Sequence, residues 1–257
     1  IVESPFYYQR LSNEIAFGKL PDVLKVDAVQ MRQLAKAGLI QDLTEVFESY
    51  ATPFTKYVMS QESIDPFEAA MIDDKLMGIP EVISDLDTMQ YIWIRTDWLE
   101  NLQLDPPQTM DDLLAISKAF THDDPDQNGE DDTYGLAVTN YLWNNIGGLT
   151  GFMAGFEAYP TIWLETDDGQ LVYGGIQPEV KEALSVLQEM YKDGQIDSEF
   201  MFKDGNKIKE QVKNGEIGLV FGEQWASFWV EDSLNSAPNA DWHAYPIVSA
   251  TDQPPKM

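Results

Sequence analysis

Apolar residues in this chain fall into helical stretches, repeating about every 3.6 residues, separated by short continuous runs of strand type. Tyr8, Leu11 and Ile15 share one helical face that stops at Gly18, and Pro21-Asp22 leads into a predicted strand, Val23-Leu24-Lys25-Val26. A second helix carries Met31, Leu34 and Ala35 and ends at Gly38, where a left-handed cap is easiest. Asp73-Asp74 is the turn of a predicted hairpin that returns through Lys75 to Pro80, and Met89 to Trp93 is a largely apolar segment. Thr109 starts the next helix as its N-cap with Asp112 three residues later, a capping-box spacing, and Leu113, Ile116 and Phe120 face the core. Pro178 opens a helix with Val180, Leu184, Leu187 and Tyr191 on one face, stopped by Gly194. A further helix around Ile208 and Val212 stops at Asn214-Gly215 and feeds the strand Ile217 to Phe221. Strands alternating with helices in this way predict an α/β fold with parallel pairing.

Composition narrows the function. The 257 residues suffice for one large domain or two lobes, and 12% aromatic content, including seven Trp and eleven Tyr, supports a sizeable core. Against 16 basic residues stand 44 acidic ones, a formal charge of −28. Such a surface repels nucleic acid and anionic lipid, which excludes both as direct partners. It also disfavours a polyanionic ligand unless calcium or a local basic patch screens it. The absence of cysteine removes disulfides, thiol catalysis and thiolate metal sites. No apolar run approaches the roughly 20 residues of a membrane helix. The chain opens at Ile1-Val2-Glu3-Ser4-Pro5 and closes at Pro254-Pro255-Lys256-Met257, and is expected to be a piece of a longer protein.

One stretch points to a metal. In Asp124-Pro125-Asp126-Gln127-Asn128-Gly129-Glu130-Asp131-Asp132, oxygen side chains fall at loop positions 1, 3, 5 and 9, with glycine at position 6. Ca²⁺ takes about 6–8 oxygen ligands, and alternate residues of a tight loop can converge on one ion. The carbonyl of Glu130 supplies the position-7 ligand, so the predicted calcium set is Asp124, Asp126, Asn128, Glu130 and Asp132, within a loop over 124–133. An EF-hand ends with a bidentate Glu at position 12; here that position is Gly135. The calcium is expected to be structural. Without it, the same run reads as an acidic solvated turn.

The order of several further segments is informative. Gly18-Lys19-Leu20-Pro21-Asp22-Val23, Leu34 to Ile40, Asp42-Leu43-Thr44, Gly78-Ile79-Pro80, Trp93 to Leu99, Pro107 to Leu113, Asp124 to Gly135, Asn214 to Gly218 and Gly222-Glu223-Gln224-Trp225 together resemble extracellular solute-binding proteins of family 1. These are sugar-capturing receptors of ABC importers, of the maltose-binding-protein type. The likeness is strongest to the lipoprotein subgroup of Gram-positive bacteria, whose members often carry this calcium loop. The resemblance implies a two-lobe, periplasmic-binding-protein-like (type II) α/β fold lacking its first strand and helix and its C-terminal part. It places the first lobe at 1–90, the second at 91–245 and a return crossover at 246–257. It implies an oligosaccharide ligand, ABC permease subunits as partners, a monomer, no enzymatic activity, and an extracellular position held by an N-terminal lipid.

Ligands of open α/β sheets bind beyond the carboxyl ends of strands. Asp27, Glu81 and Asp85 follow predicted strands of the first lobe; Asn140, Tyr141 and Trp143, and then Glu223, Gln224 and Trp225, follow strands of the second. Sugars stack C–H faces on aromatic rings and need fixed polar partners, which a Trp beside Glu and Gln supplies. The resemblance adds that a Trp at the position of Trp225 stacks on sugar. Trp93 and Trp98 are expected to be packing residues. The alternative is a secreted carbohydrate-active enzyme with a structural calcium, since a glycosidase needs only two acids at the right separation. Against it, the chain has neither a Gly-x-Ser-x-Gly elbow nor His-Glu-x-x-His, and His122 and His243 lack partners at metal-ligand spacing.

Overall fold

The apolar run predicted near residue 90 becomes the strand β3 (Gln90–Arg95), the first in chain order of the four strands in its sheet. It lies inside a four-stranded sheet with β4 (Tyr134–Leu136), β7 (Ile217–Glu223) and β8 (Trp242–Tyr245), in the order β4-β7-β3-β8. The computed structural model describes the chain except residues 1–3, 62–64, 83–84, 144–145, 167, 252 and 256–257. It divides into two compact units, Ile1–Ile83 and Ser84–Met257.

The first unit contains helices α1 (Ser4–Ala16), α2 (Ala28–Lys36), α3 (Thr44–Tyr50) and α4 (Pro53–Met59), then a hairpin of β1 (Met71–Ile72) and β2 (Lys75–Leu76). Asp73 and Asp74 turn the hairpin at φ of 50° and 61°, the left-handed values of a type I′ turn. Met31, Ala70 and Leu76 form its core with Val26, Phe47 and Phe67 packed around them. Leu11 is buried as predicted, whereas the side chain of Tyr8 lies outside the described residues. Residues 23–26 form no strand. They alternate half-buried Leu24 and Val26 with exposed Val23 and Lys25, and the Lys25 N–H donates to the Tyr7 hydroxyl (2.9 Å) rather than to a ladder.

The second unit adds α5 (Asp85–Thr88), α6 (Thr96–Leu102), α7 (Met110–His122), α8 (Thr150–Ala154), the hairpin β5–β6 (Trp163–Glu165, Leu171–Tyr173), α9 (Pro178–Lys192), α10 (Gly205–Asn214) and α11 (Ser227–Val230). The expected capping box at Thr109 and Asp112 is present: the Asp112 N–H donates to Thr109 Oγ1 (3.2 Å) and the Thr109 N–H to Asp112 Oδ2 (2.9 Å). Ile92 and Ile94 of β3 join Trp98, Leu113, Ile116, Phe120 and Phe152 on one side of the sheet. Trp93, pointing the other way, joins Ile208, Val212, Val220 and Trp229. Trp93 and Trp98 are thus packing residues.

Two expectations change. Pairing is parallel between β4 and β7, but β3 runs antiparallel to both β7 and β8. On α9 the buried stripe is Val180, Ala183, Leu187 and Met190; Leu184 and Tyr191 are 47% and 43% exposed. The small Ala183, fully buried, sets the facing side where bulkier residues had suggested another. Beyond β8, Val248 joins the core of the second unit, and the N–H of Ala250 donates to the Gly155 carbonyl (2.8 Å).

Candidate functional site

Parallel strands β4 and β7 leave the sheet at the same edge, and β3 enters there, with Gln90 opposite Glu223. Beyond β4 the chain stays tied to β7 through the Ala137 N–H to the Leu219 carbonyl (2.9 Å), and the Thr139 N–H then meets the Gly147 carbonyl (3.0 Å). Asn140, Tyr141 and Trp143 come next in the segment that follows β4. Tyr141 is 53% exposed and Trp143 38%, with the Trp143 carbonyl accepting from Thr150 Oγ1 (3.2 Å). Past β7 the chain turns through Gln224–Ala226 and enters α11. Buried Ala226, Trp229 and Val230 anchor this turn, leaving Trp225 39% exposed. Partial exposure of an indole on a fixed backbone leaves a ring face for a ligand.

The polar groups at this edge are held as well. The Glu223 carbonyl accepts from Trp93 Nε1 (3.3 Å), which fixes the end of β7. Gln224 Nε2 donates to Asp87 Oδ1 (2.7 Å), so Asp87 of α5 joins the site, a residue that sequence reasoning missed. Phe228, 80% exposed, was missed too.

Two of the candidates, Asp27 and Glu81, lie in the first unit and have other partners there. Asp27 is the N-cap of α2: its Oδ1 accepts from the N–H groups of Val29 (2.9 Å) and Gln30 (2.7 Å), and Gln30 Oε1 accepts from the Asp27 N–H (3.2 Å). No strand end precedes it, which removes the reason for its selection. Glu81 forms an exposed ion pair with Lys25. Asp85 begins α5; its side chain lies outside the described residues. Each of the two histidines meets one exposed carboxylate, His122 that of Asp193 and His243 that of Asp241, both at 3.3 Å.

The acidic loop between α7 and β4 is folded on itself. Gly129, at φ 81°, makes the reversal and its N–H donates to both Asp124 carboxylate oxygens (3.3 and 3.2 Å). The Glu130 N–H donates to Asn128 Oδ1 (2.6 Å). Asn128 Nδ2 bridges Asp126 Oδ2 (2.9 Å) and the carboxylate of Asp132 (3.3 and 3.4 Å). Burial raises the Asp126 carboxyl above its usual range, and the nearby charges of Asp132 and Asp124 push the same way. Among the described residues no three carboxylate or imidazole groups stand together as a ready cation set. The donor chemistry still suits a hard cation: all ligating atoms are oxygens, and the amide NH₂ sits between two carboxylates where positive charge is favoured. Calcium binding would need Asn128 to present its oxygen there instead. Gly135 explains the missing position-12 Glu. A Cβ at Gly135 would stand 2.2 Å from the Ser117 carbonyl oxygen, so no side chain fits.

The profile of bacterial extracellular solute-binding proteins matches residues 2–255. The chain belongs to that family. Its members are binding proteins rather than enzymes. Among curated relatives, the polygalacturonan/rhamnogalacturonan-binding protein YtcQ of Bacillus subtilis is 29% identical over 218 residues, covering 83% of this chain and 41% of YtcQ. The fructooligosaccharide ABC transporter substrate-binding protein FusA of Streptococcus pneumoniae is 24% identical, covering 95% of this chain and 46% of FusA. FusA solved with kestose superposes at a TM-score of 0.74 with 23% identity, over 96% of this chain and 51% of FusA. The alginate-binding protein AlgQ2, solved without calcium ion, gives 0.75 with 20% identity over 96% of this chain and 50% of AlgQ2. These likenesses establish a mixed α/β, periplasmic-binding-protein-like fold. The chain spans about half the length of the curated relatives it matches.

Proposed function

We propose that this chain is part of the extracellular substrate-binding protein of an ABC importer and captures a carbohydrate, in particular an oligosaccharide. The observation that carries this reading is the half-exposed Trp225 beside Gln224 and Glu223 at the end of β7, while Tyr141 and Trp143, also partly exposed, follow the parallel neighbour β4. Aromatic faces next to fixed polar groups match the two demands of a sugar. The names of YtcQ and FusA, binders of polygalacturonan/rhamnogalacturonan and of fructooligosaccharide, support the same ligand class. In the full-length protein, ligand selects the closed of two hinge states by its higher affinity for it, and the permease reads that state. An N-terminal lipid anchor, a monomeric state and the absence of catalysis complete the proposal. Calorimetric titration of the full-length protein with an oligosaccharide panel tests it. Saturable one-to-one heat is expected for at least one sugar; heat that persists at a steady rate after each injection means turnover and replaces this reading with the enzyme.

Calcium at Asp124, Asp126, Asn128, Glu130 and Asp132 is the second part of the proposal, supported by the donor set and by Asp126. Its role is to brace the loop between α7 and β4. In metal-free protein the folded-state value of Asp126 lies above its unfolded value, so its contribution is fully favourable below the unfolded value and is lost as pH rises through the folded one. A bound dication reverses that loss. Calcium is therefore expected to raise the melting temperature at neutral pH, by about 2.7 kcal/mol of stability at roughly a hundredfold excess over Kd, with the gain shrinking as pH falls through the carboxylate range. Asp126→Asn is expected to abolish the calcium gain while leaving the metal-free protein at least as stable. Equal melting in chelator and in excess calcium would remove the site.

A further inference from the structure

The site edge has a third aromatic element that the functional reading did not use. We infer that Phe202, carried on the turn Phe200–Phe202, is an additional sugar-stacking residue that extends the site and selects longer oligosaccharides; this rests on the carbohydrate reading above. Phe202 is 87% exposed and Met201 57% exposed, two large apolar side chains side by side in a strongly acidic chain. Their place is fixed by a backbone hydrogen bond: the Asn140 N–H donates to the Lys203 carbonyl at 2.9 Å. Phe202 and Tyr141 therefore each stand one residue away from the same bond, which joins this turn to the segment bearing Trp143.

The turn is built to hold position. Asp197, 7% exposed, accepts from the Glu199 N–H (2.8 Å) and from Gln211 Nε2 (3.0 Å), and pairs with the Lys203 ammonium. The Phe202 N–H donates to the Glu199 carbonyl (2.8 Å) and the Lys203 N–H to the Phe200 carbonyl (3.0 Å). Phe200 is anchored edge-on against Tyr191, with ring centroids 5.9 Å apart. A frame this well tied, displaying an aromatic ring almost wholly to solvent, is the pre-organised arrangement of a recognition surface. The occupant follows from continuity of the backbone: Tyr141 and Phe202 flank the same hydrogen bond, so a sugar chain that stacks on Tyr141 and is long enough to pass it meets Phe202.

The test compares the full-length wild type with Phe202→Ala, Phe202→Tyr and Trp225→Ala. The probes are kestose and nystose, laminaribiose through laminaripentaose, and digalacturonate through pentagalacturonate. On the ladder that wild type binds, Phe202→Ala is expected to weaken the longer members about tenfold and leave the shortest unchanged, with Phe202→Tyr restoring affinity and melting temperatures matching wild type. Trp225→Ala is expected to weaken every length. Equal affinities of wild type and Phe202→Ala for all lengths would overturn the inference and leave the carbohydrate reading standing. So would a uniform loss accompanied by a lower melting temperature, which would make Phe202 a packing residue. Failure of wild type to bind any probe would overturn both.

Discussion

Replacing Gly135 by alanine is expected to destabilise the protein by about 3 kcal/mol or more, the upper end for overpacking a filled interior. The added methyl would lie 2.2 Å from the Ser117 carbonyl oxygen and 2.3 Å from Ser117 Oγ. Backbone of α7 cannot rotate away as a side chain would. β4 would have to shift instead, breaking the bond from the Gly135 N–H to Thr121 Oγ1 (3.0 Å) and straining that from Thr133 Oγ1 to the Phe120 carbonyl (2.7 Å). Both bonds are buried, so their loss leaves polar groups without water. Differential scanning calorimetry of the full-length variant should show the transition containing this unit lowered by several degrees. A variant melting with wild type would mean that α7 and β4 can separate at little cost, contrary to their packing. The same crowding predicts that restoring the EF-hand glutamate at this position would damage the fold rather than tighten calcium.

Trp225→Ala is expected to weaken sugar binding by about 2 kcal/mol, roughly thirtyfold in Kd, with little change in melting temperature. The separation of the two effects comes from the turn. Its buried anchors are Ala226, Trp229 and Val230, whereas the Trp225 ring is 39% exposed and contributes little to that core. Truncation therefore removes a ligand surface and leaves the frame. Isothermal titration beside a thermal melt of the same variant gives both numbers. Unchanged affinity would remove Trp225 from the site; a large drop in melting temperature would make it a core residue.

Much of both units is legible in the sequence where the signals are local. Thr109 with Asp112, the Asp73-Asp74 turn and the apolar stripe of Leu113, Ile116 and Phe120 each lie within a few residues, and each appears as expected. What escapes is set by distant partners. β3 has the same apolar pattern whether it pairs parallel or antiparallel, and its neighbours come from residues 217–223 and 242–245. Residues 23–26 have a strand's alternation without a ladder. At the site, Trp225 and Trp143 were readable as aromatics after strands, but Asp87 enters through a contact spanning 137 residues. Phe202 resembles a core residue until its exposure is known. Asp27 shows the converse: a carboxylate chosen as a ligand contact is engaged in a helix cap that its spacing to Gln30 would have disclosed.

The antiparallel position of β3 also shapes how the chain acquires its structure. Its two neighbours pair across separations such as Ile92 with Phe221 and Ile94 with His243, so the sheet assembles from contacts far apart in sequence. High contact order slows folding, because loop closure is lost before the distant strands give anything back. During synthesis, the apolar β3 emerges well before β7 and β8, and until they arrive it is a hydrophobic segment with unfilled hydrogen bonds on both sides. The sheet of the second unit can therefore close around β3 only after residue 245 has been made, about 150 residues after β3 itself.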